Sequence, residues 1–133
     1  MNPNYAQVAI RALHRCEYCH APESVFNFPF EVEHIIPIAL GGQDNETNLA
    51  LACRSCNAYK SIRIQCTDPD TEIMAVLFHP RQALWQHHFT VNIETAEIVG
   101  LTPTGRATIA CLRMNSQPQL IARQQWIKLG VFP

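Results

Sequence analysis

The 133 residues are the length of one compact domain, and a composition of 47% hydrophobic and 16% charged residues excludes a disordered chain. No apolar run reaches the roughly 18 residues that a membrane-spanning helix needs, and the N-terminus does not have the pattern of a secretory signal, so we expect a cytoplasmic protein with no membrane partner. The formal net charge of −1 excludes the strongly basic character that is typical of nucleic-acid-binding proteins.

The first half of the chain predicts a mixture of short helices and short strands. Apolar residues spaced by three and four positions predict a helix over residues 3–14. Aromatic and β-branched residues at 25–37, interrupted by Pro29, predict two short strands around a turn. Two glycines and a polar cluster predict a loop over 38–48, and the apolar segment 48–53 leads into a short helix.

The second half predicts a hairpin followed by two helices. Residues 72–78 fit either a strand or a short helix, and residues 85–101 predict a β-hairpin with its turn near Glu94 to Ala96. Thr102 is the predicted N-cap of a helix that begins at Pro103, where the missing N–H costs nothing. A last helix is predicted from Ser116 to about Gly130. Together these elements predict an α+β fold.

Four of the six cysteines form two CxxC pairs, a spacing that points two thiolates at one metal ion. In a cytoplasmic protein, where thiols stay reduced, such pairs predict one structural zinc ion without an open position for water. Two disulfides, or a redox-active CxxC, are the alternatives. Cys66 and Cys111 have no such spacing and are expected to be small buried residues. The predicted zinc ligands are Cys16, Cys19, Cys53 and Cys56.

Basic residues are concentrated locally despite the overall charge. No acidic residue lies between Glu46 and Asp68 or after Glu97, whereas arginine and lysine occur in both segments. Because phosphate contacts depend on the local electrostatic field, this distribution permits binding to DNA or RNA without requiring it.

The stretch EVEHIIPIALGGQDNETNLALACRSCNAYKS, together with the first CxxC pair, resembles the HNH (ββα-metal) endonuclease family and in particular its zinc-binding, double-CxxC members. The resemblance covers about residues 16–61. The stretch HPRQALWQHHF, the predicted hairpin and the segment LTPTGRAT are similar to C-terminal stretches of small bacterial, particularly cyanobacterial, HNH proteins. The family resemblance implies a ββα-metal core fastened by the zinc site, with a C-terminal hairpin and helices. We therefore expect one HNH domain over residues 1–133, with its nuclease core at about 14–63 and an extension at about 64–133.

The same resemblance assigns a role to each polar residue of the motif. His34 matches the general base, and Glu33 and Asn57 match the ligands of a catalytic Mg²⁺ or Mn²⁺. Glu33 departs from the aspartate that is usual in the family. Asn48 matches the residue that orients the histidine. Since neighbouring residues of a strand point to opposite faces, the strand is expected to end or distort at Glu33 and His34.

The family resemblance implies nucleic acid, and specifically double-stranded DNA, as the partner. Lys60, Arg54 and Arg63 are the expected phosphate contacts. A zinc module that binds nucleic acid or protein without cutting it is the alternative function. In the C-terminal part, Arg81 and Arg106 fit either phosphate contacts or links between a hairpin and a helix. We expect this part to support the nuclease core and to extend its DNA-binding face, with Arg106 and Arg123 as the residues to test.

Overall fold

The computed structural model describes residues 2–133, in which helices and small antiparallel sheets alternate along the chain. The predicted α+β class is confirmed. No helix among these residues is long and apolar enough to cross a membrane. The α-helices are α1 (Tyr5–Arg11), α2 (Arg54–Lys60), α3 (Trp85–His88), α4 (Pro103–Cys111) and α5 (Gln117–Lys128). The strands are β1 (Glu31–His34), β2 (Leu49–Ala52), β3 (Gln65–Thr67), β4 (Met74–Val76), β5 (Phe89–Val91) and β6 (Ile98–Gly100).

Strands β1 and β2 and helix α2 form a ββα unit. β1 pairs with β2 in antiparallel register from Glu31 opposite Ala52 to His34 opposite Leu49. The connection between the two strands folds closely onto β1. A Cβ atom on Gly42 would lie 1.8 Å from the carbonyl oxygen of Ile36, so only glycine fits at this approach. The strand ends at His34, as expected.

The prediction of two strands over residues 25–37 is wrong, because only β1 forms there. The segment before β1 instead packs its aromatic side chains together, and the rings of Phe26 and Phe30 meet edge to face at 4.8 Å. The backbone N–H of Phe30, which a strand would have given to a neighbouring strand, donates to the carboxylate of Glu23 at 2.6 Å. Side-chain packing and this local acceptor replace the strand pairing.

The C-terminal elements agree closely with their local sequence signals. β5 and β6 form the predicted hairpin, and residues 74–76 form a strand that pairs with β3. The Thr102 side chain caps α4 by accepting a hydrogen bond from the N–H of Gly105 at 3.0 Å. Cys66 and Cys111 are not separate buried residues as expected, because their sulfur atoms are joined in a disulfide between β3 and the end of α4.

One hydrophobic core contains residues from both parts of the chain. The Trp85 indole donates to the carbonyl oxygen of Tyr18 at 2.7 Å, and Arg15 donates to that of Val131 at 2.8 Å. Two arginines expected at a DNA-binding face are structural instead. Arg106 binds Asp68, and the fully buried Arg123 donates to the carbonyl oxygens of Ala96 and Met114. The acidic partner engages the guanidinium group of Arg106, and burial removes that of Arg123 from any external phosphate.

Candidate functional site

The two CxxC pairs meet in the interior of the protein. Their four Sγ atoms all lie within 4.8 Å of one another, and the Sγ atoms of Cys19 and Cys53 are 3.8 Å apart. Four sulfurs at about 2.3 Å from a tetrahedral zinc ion are separated by roughly 3.8 Å, so the spacing fits this ion. The four thiols could hold a metal such as zinc, with Cys16 and Cys56 completing the set. Their convergence on one point argues against two separate redox pairs.

The environment of these thiols favours a bound cation. Contacts with the other three sulfurs and burial raise the pKa of the Cys56 thiol well above its ordinary value. A metal cation offsets this cost by stabilising the thiolates. The Cys53 sulfur also accepts from the N–H of Cys56 at 3.4 Å, at the start of α2. The cysteine cluster therefore fixes the position of α2 relative to the strands.

His34 lies at the last position of β1 with about a third of its side chain exposed. Its Nε2 atom is 2.9 Å from the Oδ1 atom of Asp44, which lies in the loop before β2. A carboxylate can only accept at this distance, so the Nε2 atom carries the proton. The Nδ1 atom is then the ring nitrogen that can accept a proton from water.

The Asn48 side chain forms no hydrogen bond with the His34 ring and instead binds the backbone that follows His34. Its side-chain oxygen accepts from the N–H of Ile36 at 2.8 Å, and its amide nitrogen donates to the carbonyl oxygens of Ile36 and Gln43. Its own carbonyl oxygen accepts from the N–H of Ile35 at 2.8 Å. Asn48 thereby holds the chain after His34 against the loop that carries Asp44.

Glu33 precedes His34 in β1, and its side chain therefore points to the other face of the strand, where the residue is only 7% exposed. One carboxylate oxygen accepts from the Tyr18 hydroxyl, and the other lies 3.0 Å from the Lys60 ammonium group. Burial raises the pKa of Glu33, and the charge of Lys60 and the hydrogen bond from Tyr18 oppose this effect. Burial and the Glu33 carboxylate likewise hold the pKa of Tyr18 well above its usual value.

The prediction that Lys60 contacts phosphate needs correction. Its side chain is 1% exposed, and besides Glu33 its ammonium group donates to the carbonyl oxygens of Ile35 at 2.8 Å and His34 at 3.4 Å. A buried ammonium group with these acceptors has no N–H left at the surface. Lys60 thus binds α2 to β1, and it neutralises Glu33.

Asn57 lies on α2, opposite the beginning of β1. Its amide nitrogen donates to one carboxylate oxygen of Glu31, whose other oxygen is 3.7 Å from the Nε atom of Arg54. Because the Asn57 amide nitrogen donates to Glu31, the amide oxygen is the atom of this side chain that could bind a metal ion. Amide oxygens of this kind are ligands that hard divalent cations accept.

Three of the predicted site residues line a common surface groove. Glu33, His34 and Asn57 border a space of about 380 Å³, together with residues of the segment after β1 and the end of α2. The lining of one opening therefore includes an acidic residue, a histidine and an asparagine, with the Glu33 carboxylate itself buried behind it. Arg54 and Arg63 lie on and just after α2, and both are exposed.

The donor set of this groove fits one hard divalent cation. Each oxygen of the Glu33 carboxylate has a second lone pair beyond those used by Tyr18 and Lys60, and the Asn57 oxygen has no hydrogen-bond partner among residues 2–133. Two oxygen donors suit Mg²⁺ or Mn²⁺, which keep several water ligands.

Sequence reasoning missed three residues of this site. Asp44 is one polar residue in a polar loop, Glu31 resembles any solvent-facing strand residue, and Tyr18 stands within the first CxxC pair. Two signals were present in the sequence. Glu31 stands two positions before Glu33, on the same face of the strand, and Asp44 stands only a few residues before Asn48. Neither signal specifies a contact without the folded loop.

The family comparison agrees with this geometry. Residues 16–63 match the family model described as HNH endonuclease, and this segment contains all four clustered cysteines and the three groove residues. A search of curated proteins and a search of solved structures found no match. The matched segment is thus similar to HNH endonuclease domains and contains a four-cysteine cluster, and HNH domains are in general nucleases that act on nucleic acids.

Proposed function

We propose that the protein is a divalent-metal-dependent endonuclease that hydrolyses phosphodiester bonds in DNA. The observation that carries the proposal is the common groove of Glu33, His34 and Asn57 within the segment that matches the HNH model. Phosphodiester hydrolysis needs a base for water and positive charge beside the phosphoryl oxygens. A zinc module that only binds nucleic acid would need neither an exposed imidazole nor oxygen ligands at one opening.

His34 is the proposed general base. The oxygen of water attacks phosphorus, one proton of that water passes to the Nδ1 atom of His34, and the bond from phosphorus to the 3′ oxygen breaks. The departing 3′ oxygen takes up a proton from solvent water. Asp44 keeps the proton on the other ring nitrogen, so that Nδ1 is unprotonated when water is bound. The products in this scheme carry a 5′-phosphate and a 3′-hydroxyl.

Glu33 and Asn57 are the proposed ligands of the catalytic Mg²⁺ or Mn²⁺. Such an ion would supply positive charge to the phosphoryl oxygens and to the leaving oxygen. Glu31 holds the Asn57 amide nitrogen and so directs the amide oxygen away from β1. Lys60 and Tyr18 keep the Glu33 carboxylate in place inside the protein.

Arg54 and Arg63 are the proposed phosphate contacts on duplex DNA. The Arg54 side chain is 73% exposed, and its one carboxylate neighbour among residues 2–133 is at 3.7 Å, longer than a hydrogen bond. Arg63 is exposed and donates to the Cys111 sulfur at 3.3 Å, which leaves the rest of its guanidinium group open. Both lie near Asn57 along the chain, next to the proposed ion.

Cleavage of supercoiled plasmid by purified protein tests the proposal. With Mg²⁺ or Mn²⁺ we expect nicking that EDTA abolishes, and we expect His34→Ala to lower the rate by at least about 100-fold, the usual contribution of a general base. His87→Ala is the matched control, because His87 is an exposed histidine on α3 outside the groove. Circular dichroism and zinc content should be unchanged in both variants.

The proposal fails if His34→Ala protein, with its fold and metal content intact, cuts plasmid at the wild-type rate. It fails equally if wild-type protein with one bound zinc shows no cleavage with either divalent ion.

A further inference from the structure

Phe28 is an aromatic residue that the core does not take up. Phe26 and Phe30 on either side of it pack inward, whereas Phe28 is 40% exposed. The Arg54 guanidinium carbon lies 5.1 Å from the centre of its ring. The edge of the Phe28 ring also meets the Phe26 ring, with 5.9 Å between the ring centres. The part of the ring that stays exposed contributes little to folding and is a candidate contact for a ligand.

The ring borders a groove of about 490 Å³ at the beginning of β1, which is within the range of sites for ligands of nucleotide size. Its walls are mainly aromatic and aliphatic, from Phe28, Phe30 and Val32, with Arg54 at the edge. Val32 also lines the groove of His34 and Asn57. The two grooves are therefore neighbours along one strand.

The charges in this groove favour a neutral ring over an anion inside it. Glu31 lies in its lining, and the Glu31 carboxylate would repel a phosphate placed on the groove wall. The Nη atoms of Arg54 have no acceptor among residues 2–133 and can reach a phosphate outside the groove. The acidic group in the lining and the basic group at the edge therefore suit a nucleotide whose neutral base lies inside the groove and whose phosphate lies at the edge.

We propose that this groove binds a nucleobase beside the bond that is cut, stacked on Phe28, with Arg54 on the adjacent phosphate. The inference rests on the proposed function and adds a feature of its substrate. A base that stacks on a protein ring has left the stack of its own strand. The enzyme should therefore favour strands with an unpaired or easily extruded base next to the cleaved bond.

Binding without cleavage tests this proposal. The probes are a fluorescently labelled single-stranded oligonucleotide of about 15 nucleotides and an abasic strand of equal length and charge, in buffer without added Mg²⁺ or Mn²⁺. We expect the wild-type protein to bind the strand with bases more tightly than the abasic strand. Phe28→Leu should weaken binding of the strand with bases by about 5- to 100-fold and leave the abasic strand unaffected.

Two further variants separate stacking from charge and from folding. Phe28→Tyr retains the ring and should bind both strands as the wild type does. Arg54→Gln should weaken both strands and reduce the slope of log affinity against log salt by about 1, because one phosphate contact is lost. The proposal is overturned if the wild type does not distinguish the two strands, or if Phe28→Leu and Phe28→Tyr lower both affinities alike.

The result is independent of the plasmid assay. If Phe28→Leu leaves binding unchanged while His34→Ala abolishes nicking, the base-binding groove is wrong and the nuclease function stands. If base-dependent binding is found but His34→Ala nicks normally, the groove binds bases and the assigned chemistry is wrong.

Discussion

Among residues 2–133 one side chain forms a hydrogen bond with the His34 ring, and that side chain is exposed. Asp44 accepts from Nε2 at 2.9 Å, and its own side chain is 72% exposed. Such a surface pair contributes little to stability, so its effect should appear in the orientation of the imidazole. Asn48 supports the pair indirectly by fixing the loop at Gln43.

Asp44→Asn should slow cleavage without weakening DNA binding. Loss of the carboxylate allows the other tautomer, in which Nδ1 carries the proton and cannot accept one from water. We expect kcat to fall by about 10-fold or more, as for other residues that orient a catalytic group, with KM for DNA unchanged. Steady-state cleavage of a labelled substrate gives both constants.

Glu46→Gln is the matched control for Asp44→Asn, because it removes the same charge from the same exposed loop without a contact to His34. It should leave kcat unchanged. Equal effects of the two variants would mean that only the charge of the loop matters, and the orienting role of Asp44 would be wrong.

Single residues were predictable where the family motif fixes their order along the chain. The motif brought Glu33, His34 and Asn57 to one groove. It gave the helical position of Lys60 correctly but not the direction of its side chain. A lysine one turn after Asn57 faces β1, and the buried Glu33 carboxylate and two carbonyl oxygens draw its ammonium group inward. Such a partner is visible only after β1 and α2 have packed.

At the scale of elements, Asp68 connects the β3–β4 hairpin with α4. The carboxylate is fully buried and accepts from the Nε and Nη2 atoms of Arg106 at 3.0 and 2.9 Å. It also accepts from Thr71 and from the N–H of Asp70 in the turn between the strands. One carboxylate thus organises the turn and fastens it to the helix.

Asp68→Asn should lower the melting temperature near neutral pH by roughly 5 °C or more. The hydrogen bonds from Arg106, with those from Asp70 and Thr71, hold the pKa of Asp68 far below its ordinary value. Because the folded-state pKa is depressed, this stabilisation is present above the unfolded carboxyl pKa of about 3.9 and is lost as pH falls through the folded value. The deficit of the variant should therefore shrink in strong acid.

Thermal unfolding followed by circular dichroism, at neutral pH and at several values below about pH 3.9, measures both effects. Asp70→Asn is the control, since the Asp70 side chain is 68% exposed and 3.2 Å from the same guanidinium group. It should change the melting temperature little. A deficit of Asp68→Asn that stays constant into strong acid would contradict the ion-pair explanation.

Elements with a local chemical signal were predicted well, and those set by distant contacts were not. Thr102 before Pro103 specified the start of α4, and the second CxxC pair specified α2. The segment 25–37 has the composition of strands, yet the acceptor for the Phe30 N–H is Glu23, from a separate 3₁₀ turn. The hydrogen bond from Phe30 to Glu23 could not be predicted, because the composition of a segment does not indicate which acceptor lies beside it in the folded protein.

At the scale of the molecule, the cysteine cluster lies where the two parts of the chain meet. Within the first CxxC pair, Glu17 binds Arg81 and the Tyr18 carbonyl oxygen binds Trp85. Both partners belong to the segment after residue 64. We propose that residues 14–63 and 64–133 fold as one cooperative unit and that the cluster holds a structural zinc ion.

Loss of the zinc should therefore unfold both parts together. The free energy of binding structural zinc is about 10–16 kcal/mol in small zinc domains, more than the total stability of a typical domain. We expect one zinc per chain by elemental analysis. We expect Cys16→Ser to lose the zinc. Loss of the circular dichroism signal and the change in fluorescence that reports exposure of the buried Trp126 should then occur together, in a single transition.

A variant that replaces Cys66 and Cys111 by alanine is the control, because these two cysteines lie outside the cluster. It should keep one zinc and remain folded. Cooperative coupling requires that Trp126 responds as residues 14–63 do, although it lies in α5, far along the chain from every cysteine of the cluster. If Trp126 stays buried in metal-free Cys16→Ser protein while the N-terminal part unfolds, the two segments are separate folding units.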